Sequence, residues 1–239
     1  MLLNITQDNN PMKIIQYDGF ELDHFDSAKN FRIYQISLIK KFIKGKFLEV
    51  GAGKGGLIPF YKKFAKDISI LEPEKKLFRI LKKKYSRKKI KIINKTIKDI
   101  KTKFDTIIYY DVLEHIRDDF KEVRNAEKKL IKNGYLIFSV PAYQSFYSSF
   151  DKSVGHYRRY NKKDFIELEK KISLKIEKLV YYDSMGFLFL VLNKVFSLKQ
   201  TNLKNKIYLW NLLMPISKLI DFLTFNKFGK SLLCVFKKC

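Results

Sequence analysis

The chain has 239 residues, 46% of them hydrophobic and 15% aromatic, which excludes a disordered protein and can fill one sizeable core. Its net charge is +25, from 49 basic against 24 acidic residues, a balance that points either to an anionic partner or to a lysine-covered surface. Only seven of those 49 are Arg. Base and phosphate recognition usually recruits the bidentate guanidinium, so the Lys excess favours a solvated surface with at most a weak contact to an anionic membrane; nucleic acid is not expected as a partner.

Residues 1–23 are irregular, and the opening MLLNITQDNNPMK lacks the basic region and apolar core of a signal peptide. Apolar residues then recur at helical spacing from Phe25 to Lys44. FLEV (47–50) is a short apolar strand that runs into glycines, and LIPFYKKFA (57–65) reads as a helix. ISIL (68–71), IKII (90–93) and TIIYY (106–110) are further strands, with a helix over 74–85 between the first two. The run 115–132 predicts one long amphipathic helix stopped by Asn133-Gly134, followed by a strand over 135–140 that ends at Pro141. A loop over 141–161, a helix over 161–171 and a strand over 174–182 come next. Residues 185–225 are apolar and helical, broken by a polar turn at 199–206, and SLLCVF (231–236) is a last strand. No stretch of 18 apolar residues occurs; MGFLFLVL (185–192) is too short to span a bilayer. The two cysteines, Cys234 and Cys239, form no cluster of metal spacing with His, so no metal is expected, and a reduced, cytoplasmic setting is the default.

Strand and helix alternate at short intervals from 46 to 140, and the strands lack period-two alternation. This predicts an α/β fold: a doubly wound, mostly parallel, seven-stranded sheet with both faces covered. Ligands of such sheets bind beyond the carboxyl ends of the strands, which here are Gly51–Gly55, Glu72, Asp111 and the segment after Pro141. In EVGAGKGG (49–56) the glycines fit both a dinucleotide fingerprint and the G-x-G-x-G spacing, and Glu72 can accept both ribose hydroxyls of either nucleoside cofactor.

LEVGAGKGG with Glu72, DVLEHIRDD (111–119) and NGYLIFSVPAY (133–143) together resemble the class I S-adenosylmethionine-dependent methyltransferases, with a Rossmann-like sheet, over roughly residues 20–165. The run from LEHIRDD through VPAY to GHYRRY is similar to one bacterial branch whose members often accompany glycan or lipid biosynthesis enzymes. The resemblance implies S-adenosylmethionine as cofactor. It implies that Glu49 lies beneath the methionine part, that Gly51, Ala52, Gly53 and Gly55 offer backbone contact, and that Glu72 holds the ribose. Thr96 and Ile97 would flank the adenine, although family members usually carry an acidic residue where Thr96 stands. Asp111, Val112 and Leu113 would line the methionine end. The acidic strand ends also suit a sulfonium better than a pyrophosphate.

The loop 141–161 leaves the fifth strand above the methyl group. It holds His156 as candidate general base, and Tyr143, Tyr157, Arg158, Arg159 and Tyr160 as candidate acceptor contacts. An arginine beside Asp151 can pin the loop, so one of the pair is expected to be structural and the other to grip an anionic acceptor. The expected organisation is a single domain over 1–239: an N-terminal helix (25–44), a cofactor-binding core (46–140), the substrate loop, and an apolar helical extension (185–225). That extension is either ordinary core or an interfacial pair with Trp210 and lysines at the boundary, peripheral at the inner membrane surface. The expected activity is transfer of a methyl group to oxygen on a small-molecule, glycan or lipid-linked acceptor. A nucleic-acid methyltransferase and a non-catalytic binding protein of the same fold are the alternatives.

Overall fold

The computed structural model describes residues 28–196 and 203–239. Helix α1 spans Lys29–Ile39 and continues as a 3-10 turn. Then come β1 (Lys46–Val50), α2 (Ile58–Tyr61), β2 (Asp67–Leu71), α3 (Lys75–Tyr85), β3 (Ile90–Ile93), β4 (Phe104–Tyr110), α4 (Asp119–Lys128) and β5 (Leu130–Pro141). The remainder is α5 (Ser149–Ser153), α6 (Lys162–Glu169), β6 (Leu174–Tyr182), α7 (Ser184–Phe196), α8 (Leu203–Leu212), α9 (Met214–Leu223) and β7 (Ser231–Lys238). The expected start of the first helix, residues 25–27, and the irregular residues 1–23 lie outside the described residues.

Seven strands form one sheet in the order β3-β2-β1-β4-β5-β7-β6. Strands β1 to β5 are parallel, and β7 runs antiparallel between β5 and β6. Successive residues of β1 enter opposite cores: Phe47 joins the one built with Tyr61, Ile108 and Ile137, whereas Leu48 joins the one built with Tyr109, Phe138 and Phe165. Burial on both faces is why the strands read as continuous apolar runs.

Two expected helices are shorter in the structure. Residues 57–65 give a single turn, α2. The long helix over 115–132 is a 3-10 turn at Leu113–His115 followed by α4, which is capped by Asp118, whose carboxylate accepts from the Lys121 amide at 3.0 Å. Asn133-Gly134 does not stop that helix; it lies within β5, which pairs with β4 from Leu130 onward. Asn133 adopts φ +60, and the register shifts between the Leu130 and Tyr135 pairings. The sequence NG serves a left-handed bulge as readily as a helix stop, and pairing with β4 decides between them.

The C-terminal helices are tied to the core by buried carboxylates. Asp221 of α9 accepts from the Tyr34 hydroxyl at 2.6 Å and from the Asp183 and Ser184 amides at 2.8 and 3.0 Å, capping α7 from another element. Asp183 accepts from the Trp210 indole N–H at 2.9 Å. Trp210 is therefore a core residue of α8 and not the boundary residue expected of an interfacial pair.

Candidate active site

The turn after β1 is left-handed three times, with φ of +70, +56 and +75 at Gly51, Gly53 and Gly55. Each would be strained with any side chain. The Gly51 amide donates to the Leu71 carbonyl at 2.8 Å, and a Cβ there would press on Val112. Glycine at 55 has a different cause. A Cβ would strike Leu81 and Tyr85 of α3, and the Tyr85 hydroxyl donates to the Gly55 carbonyl at 2.8 Å. Gly55 thus brings α3 close.

Glu72, at the end of β2, reaches back to this turn. Its carboxylate accepts from the Gly53 amide at 2.8 Å and from the Glu74 amide at 3.0 Å. Burial pushes its pKa up to about 7 in spite of those two donors. Glu49 is buried beneath the turn and accepts from the Tyr61 hydroxyl at 2.5 Å. Ala52, partly exposed, lies between Gly51 and Gly53. After β3, Ile97 is fully buried, and Thr96 forms a capping box with Asp99, donating its hydroxyl to that carboxylate at 2.7 Å. The acidic group absent from position 96 is thereby brought beside it.

At the end of β4, Asp111 has φ +54 and donates its amide to the Ser139 carbonyl at 2.8 Å. Its carboxylate is half exposed and 4.0 Å from the guanidinium of Arg32, a buried arginine of α1 that the sequence pattern did not single out. Val112 packs against the glycine turn and Leu113 is buried.

The loop after β5 folds back along its own end. Tyr160 pairs with Ala142, its amide donating to the Pro141 carbonyl at 2.9 Å. At its centre Asp151 is fully buried and binds three groups. The Arg159 guanidinium donates to both carboxylate oxygens, at 2.8 and 2.9 Å; His156 Nδ1 lies 2.9 Å from one of them; the Ser148 hydroxyl donates at 2.8 Å. Burial alone would raise the Asp151 pKa, but these hydrogen bonds outweigh it and hold the carboxyl well below its ordinary range. Asp151 is therefore ionised, which makes His156 Nδ1 the donor and leaves the Nε2 edge for the other side.

On that side is Glu114, with no solvent exposure and, among the described residues, no hydrogen-bond partner from another residue for either carboxylate oxygen; its Oε1 is 3.9 Å from His156 Nε2. Desolvation, with Asp111 and Asp151 nearby, pushes its pKa well up. His115 stacks edge-on to His156 with ring centres 4.6 Å apart. Burial takes the His115 pKa down to about 3, so this imidazole is neutral.

Both arginines meet carboxylates of the chain: Arg159 binds Asp151 and has its Nη1 without a hydrogen-bond partner among the described residues, and Arg158, partly exposed, binds Asp119 at 2.6 Å and the Arg117 carbonyl at 2.7 Å. Tyr160 is buried, its hydroxyl donating to Asp119 at 2.8 Å, and supports the loop from beneath. Tyr143 (φ +62) stacks on Tyr181 at 4.7 Å and packs on Phe187, forming a partly exposed aromatic wall, while Tyr157 is exposed. A cavity of about 400 Å³ is lined by Arg158, Arg159 and Lys163, with Asp119 and Asp164 among its other walls.

A seven-stranded sheet with β1 to β5 parallel, a glycine turn at the end of β1 and carboxylates at the ends of β1, β2 and β4 are the features of a class I S-adenosylmethionine-dependent methyltransferase, with S-adenosylmethionine as its cofactor. The chain belongs to the family of methyltransferase domains, whose model matches residues 22–178. No curated protein matches its sequence. Among solved structures it is similar to the N-methyltransferase NodS of Bradyrhizobium japonicum in complex with S-adenosyl-L-homocysteine, at 15% identity and TM-score 0.56, over 97% of this chain and 89% of that one. It is similar to an S-adenosylmethionine-dependent methyltransferase from Clostridium acetobutylicum, at 14% identity and TM-score 0.58, over 92% and 96% of the two chains. It is also similar to the magnesium protoporphyrin IX methyltransferase of Synechocystis with bound S-adenosyl-L-homocysteine, at 11% identity and TM-score 0.56, over 91% and 84%. At these identities the likeness is one of fold.

Proposed function

We propose that the enzyme methylates an oxygen of a glycan- or lipid-linked acceptor, or of a related small molecule, held under the loop 141–161. The cofactor would lie on Glu49, Gly51, Ala52, Gly53 and Glu72, with Thr96 and Ile97 at the adenine and Asp111, Val112 and Leu113 at the methionine end. The observation that carries the acceptor reading is the Asp151–His156 hydrogen bond, which presents His156 Nε2 from a buried support. Methyl transfer is an in-line displacement on a sulfonium, so the enzyme has to align the acceptor, exclude water and assist loss of the hydroxyl proton. We assign that last task to His156. Tyr143 and Tyr157 wall the acceptor. The cavity at Arg158 and Arg159 suits an anionic portion of it, although each guanidinium is partly neutralised by Asp119 or Asp151. The test is turnover of S-adenosylmethionine to S-adenosylhomocysteine across polyprenyl-phosphate sugars, free sugars and phenols. Turnover confined to amines or nucleic acid would exclude the reading.

A peripheral place at the inner face of a membrane is part of the same proposal. No described helix is long and apolar enough to cross a bilayer. The α8–α9 pair nevertheless turns Leu212, Leu219, Phe222 and Phe225 outward, the last two 75% and 81% exposed, with Lys204, Lys206, Lys218 and Lys227 exposed around them. An apolar surface rimmed by cations fits an anionic lipid interface.

A further inference from the structure

We propose that Glu114, His115 and His156 bind one divalent first-row transition-metal ion at the acceptor end of the site. One ligand atom from each residue can be chosen so that all three lie within 4.8 Å of one another. Two ligands about 2.1 Å from a tetrahedral ion sit about 3.4 Å apart, so the 3.9 Å between Glu114 Oε1 and His156 Nε2 needs only a small closure.

Two features point to a cation here. The Glu114 carboxylate is completely buried, yet neither oxygen has a hydrogen-bond partner from another residue among the described residues. A buried carboxylate is stabilised by a proton or by a cation, and this one has an imidazole nitrogen in front of it. Second, the outer hydrogen bonds are those that metal-binding histidines use. His156 Nδ1 lies 2.9 Å from an Asp151 carboxylate oxygen, and His115 hydrogen-bonds the Gly155 backbone, so each ring is oriented through one nitrogen.

Two imidazoles and one carboxylate favour Zn²⁺, Fe²⁺, Co²⁺ or Mn²⁺ over the oxygen-seeking Mg²⁺ and Ca²⁺. Three protein ligands leave a coordination position open. If the methyltransferase reading of the acceptor site holds, an oxygen of the acceptor takes that position. The ion would lower the hydroxyl pKa, so that the proton passes to solvent water as the methyl group leaves the sulfonium, and His156 would serve as a ligand in place of the base role. No spacing motif announces the site, because its ligands come from two segments that only the fold brings together.

The test uses the full chain, stripped with a chelator and titrated with Co²⁺, whose visible absorption reports coordination by nitrogen and oxygen. Calorimetry with S-adenosylhomocysteine is run in parallel. One equivalent of Co²⁺ is expected, with Zn²⁺ displacing it and Mg²⁺ failing to. His156→Ala and Glu114→Gln should each weaken Co²⁺ binding at least 100-fold. Asp151→Asn, which leaves all three ligands in place but alters the support of both His156 and Arg159, should weaken it 10- to 100-fold. Thermal melting keeps folding separate: Co²⁺ should raise the Tm of the wild type and not that of Glu114→Gln. Normal S-adenosylhomocysteine binding with no Co²⁺ binding overturns the metal site and leaves the methyltransferase reading intact. Co²⁺ binding that survives both ligand variants places the ion elsewhere and also overturns it. Loss of S-adenosylhomocysteine binding by the wild type would instead count against the cofactor site.

Discussion

The two ends of the site are built differently. At the cofactor end the chain does the work over short distances: three left-handed glycines in five residues, with Glu72 hydrogen-bonding the amide of Gly53 nineteen residues earlier. At the acceptor end, buried side chains hold a loop: Asp151 with Arg159 and His156, Arg158 with Asp119, Tyr160 beneath. Backbone sites tolerate change at most side chains and fail at a glycine. Side-chain networks fail when one member is removed, because the remaining charge stays buried.

That contrast is most sharply broken at Gly53. Gly53→Val puts a branched side chain at φ +56 in the turn, and S-adenosylhomocysteine binding should fall below detection by calorimetry while the fold survives. Tight binding by this variant would remove the glycine turn from the cofactor site.

At the other end, Asp151→Ala should destabilise the protein by about 3 to 5 kcal/mol, the effect of stranding a buried partner, here Arg159. Urea denaturation measures it. A loss under about 1 kcal/mol would mean that water replaces the carboxylate and that the loop is not held as described.

Glu72 supplies a pH dependence. Its folded pKa, about 7, is above the ordinary 4.5, so its stabilising contribution is complete below pH 4.5 and is lost as pH rises through 7. The total is about 3 kcal/mol. With the cofactor placed as proposed, its binding should show the opposite trend, tightening between pH 6 and 8 as the Glu72 carboxylate forms. Glu72→Gln should flatten both profiles, and an unchanged slope in that variant would assign the titration to another group.

Smaller effects are expected at the surface. Phe222→Ser with Leu219→Ser should reduce co-sedimentation with anionic vesicles several-fold without altering Tm, since both side chains are exposed; equal sedimentation of variant and wild type would leave α8 and α9 as plain cover for the core. Arg158→Ala should cost about 0 to 1 kcal/mol, because the Asp119 pair is about one-quarter exposed and screened. A larger loss of acceptor turnover than of stability would show that this arginine meets the acceptor when the loop closes.

What the sequence determined by itself was whatever depends on neighbours in the chain. Burial on both faces made β1, β2 and β4 legible as apolar runs, and the positive φ that Gly51, Gly53 and Gly55 must adopt made the cofactor turn legible as glycines. Asn133-Gly134 is locally ambiguous, and pairing with β4 turned an expected helix stop into a strand bulge. The C-terminal helices looked alike in apolar content, yet long-range hydrogen bonds drew Trp210 and Asp221 inward and left Phe222 outside. Glu114 carried no signal at all in sequence: an acidic residue after a strand looks like any other. It became a candidate ligand only when the fold buried it opposite His156, a residue carried there by a loop that Asp151 and Arg159 hold shut. Tertiary structure decided these points because desolvation and charge pairing depend on what lies across space, and linear order does not encode that.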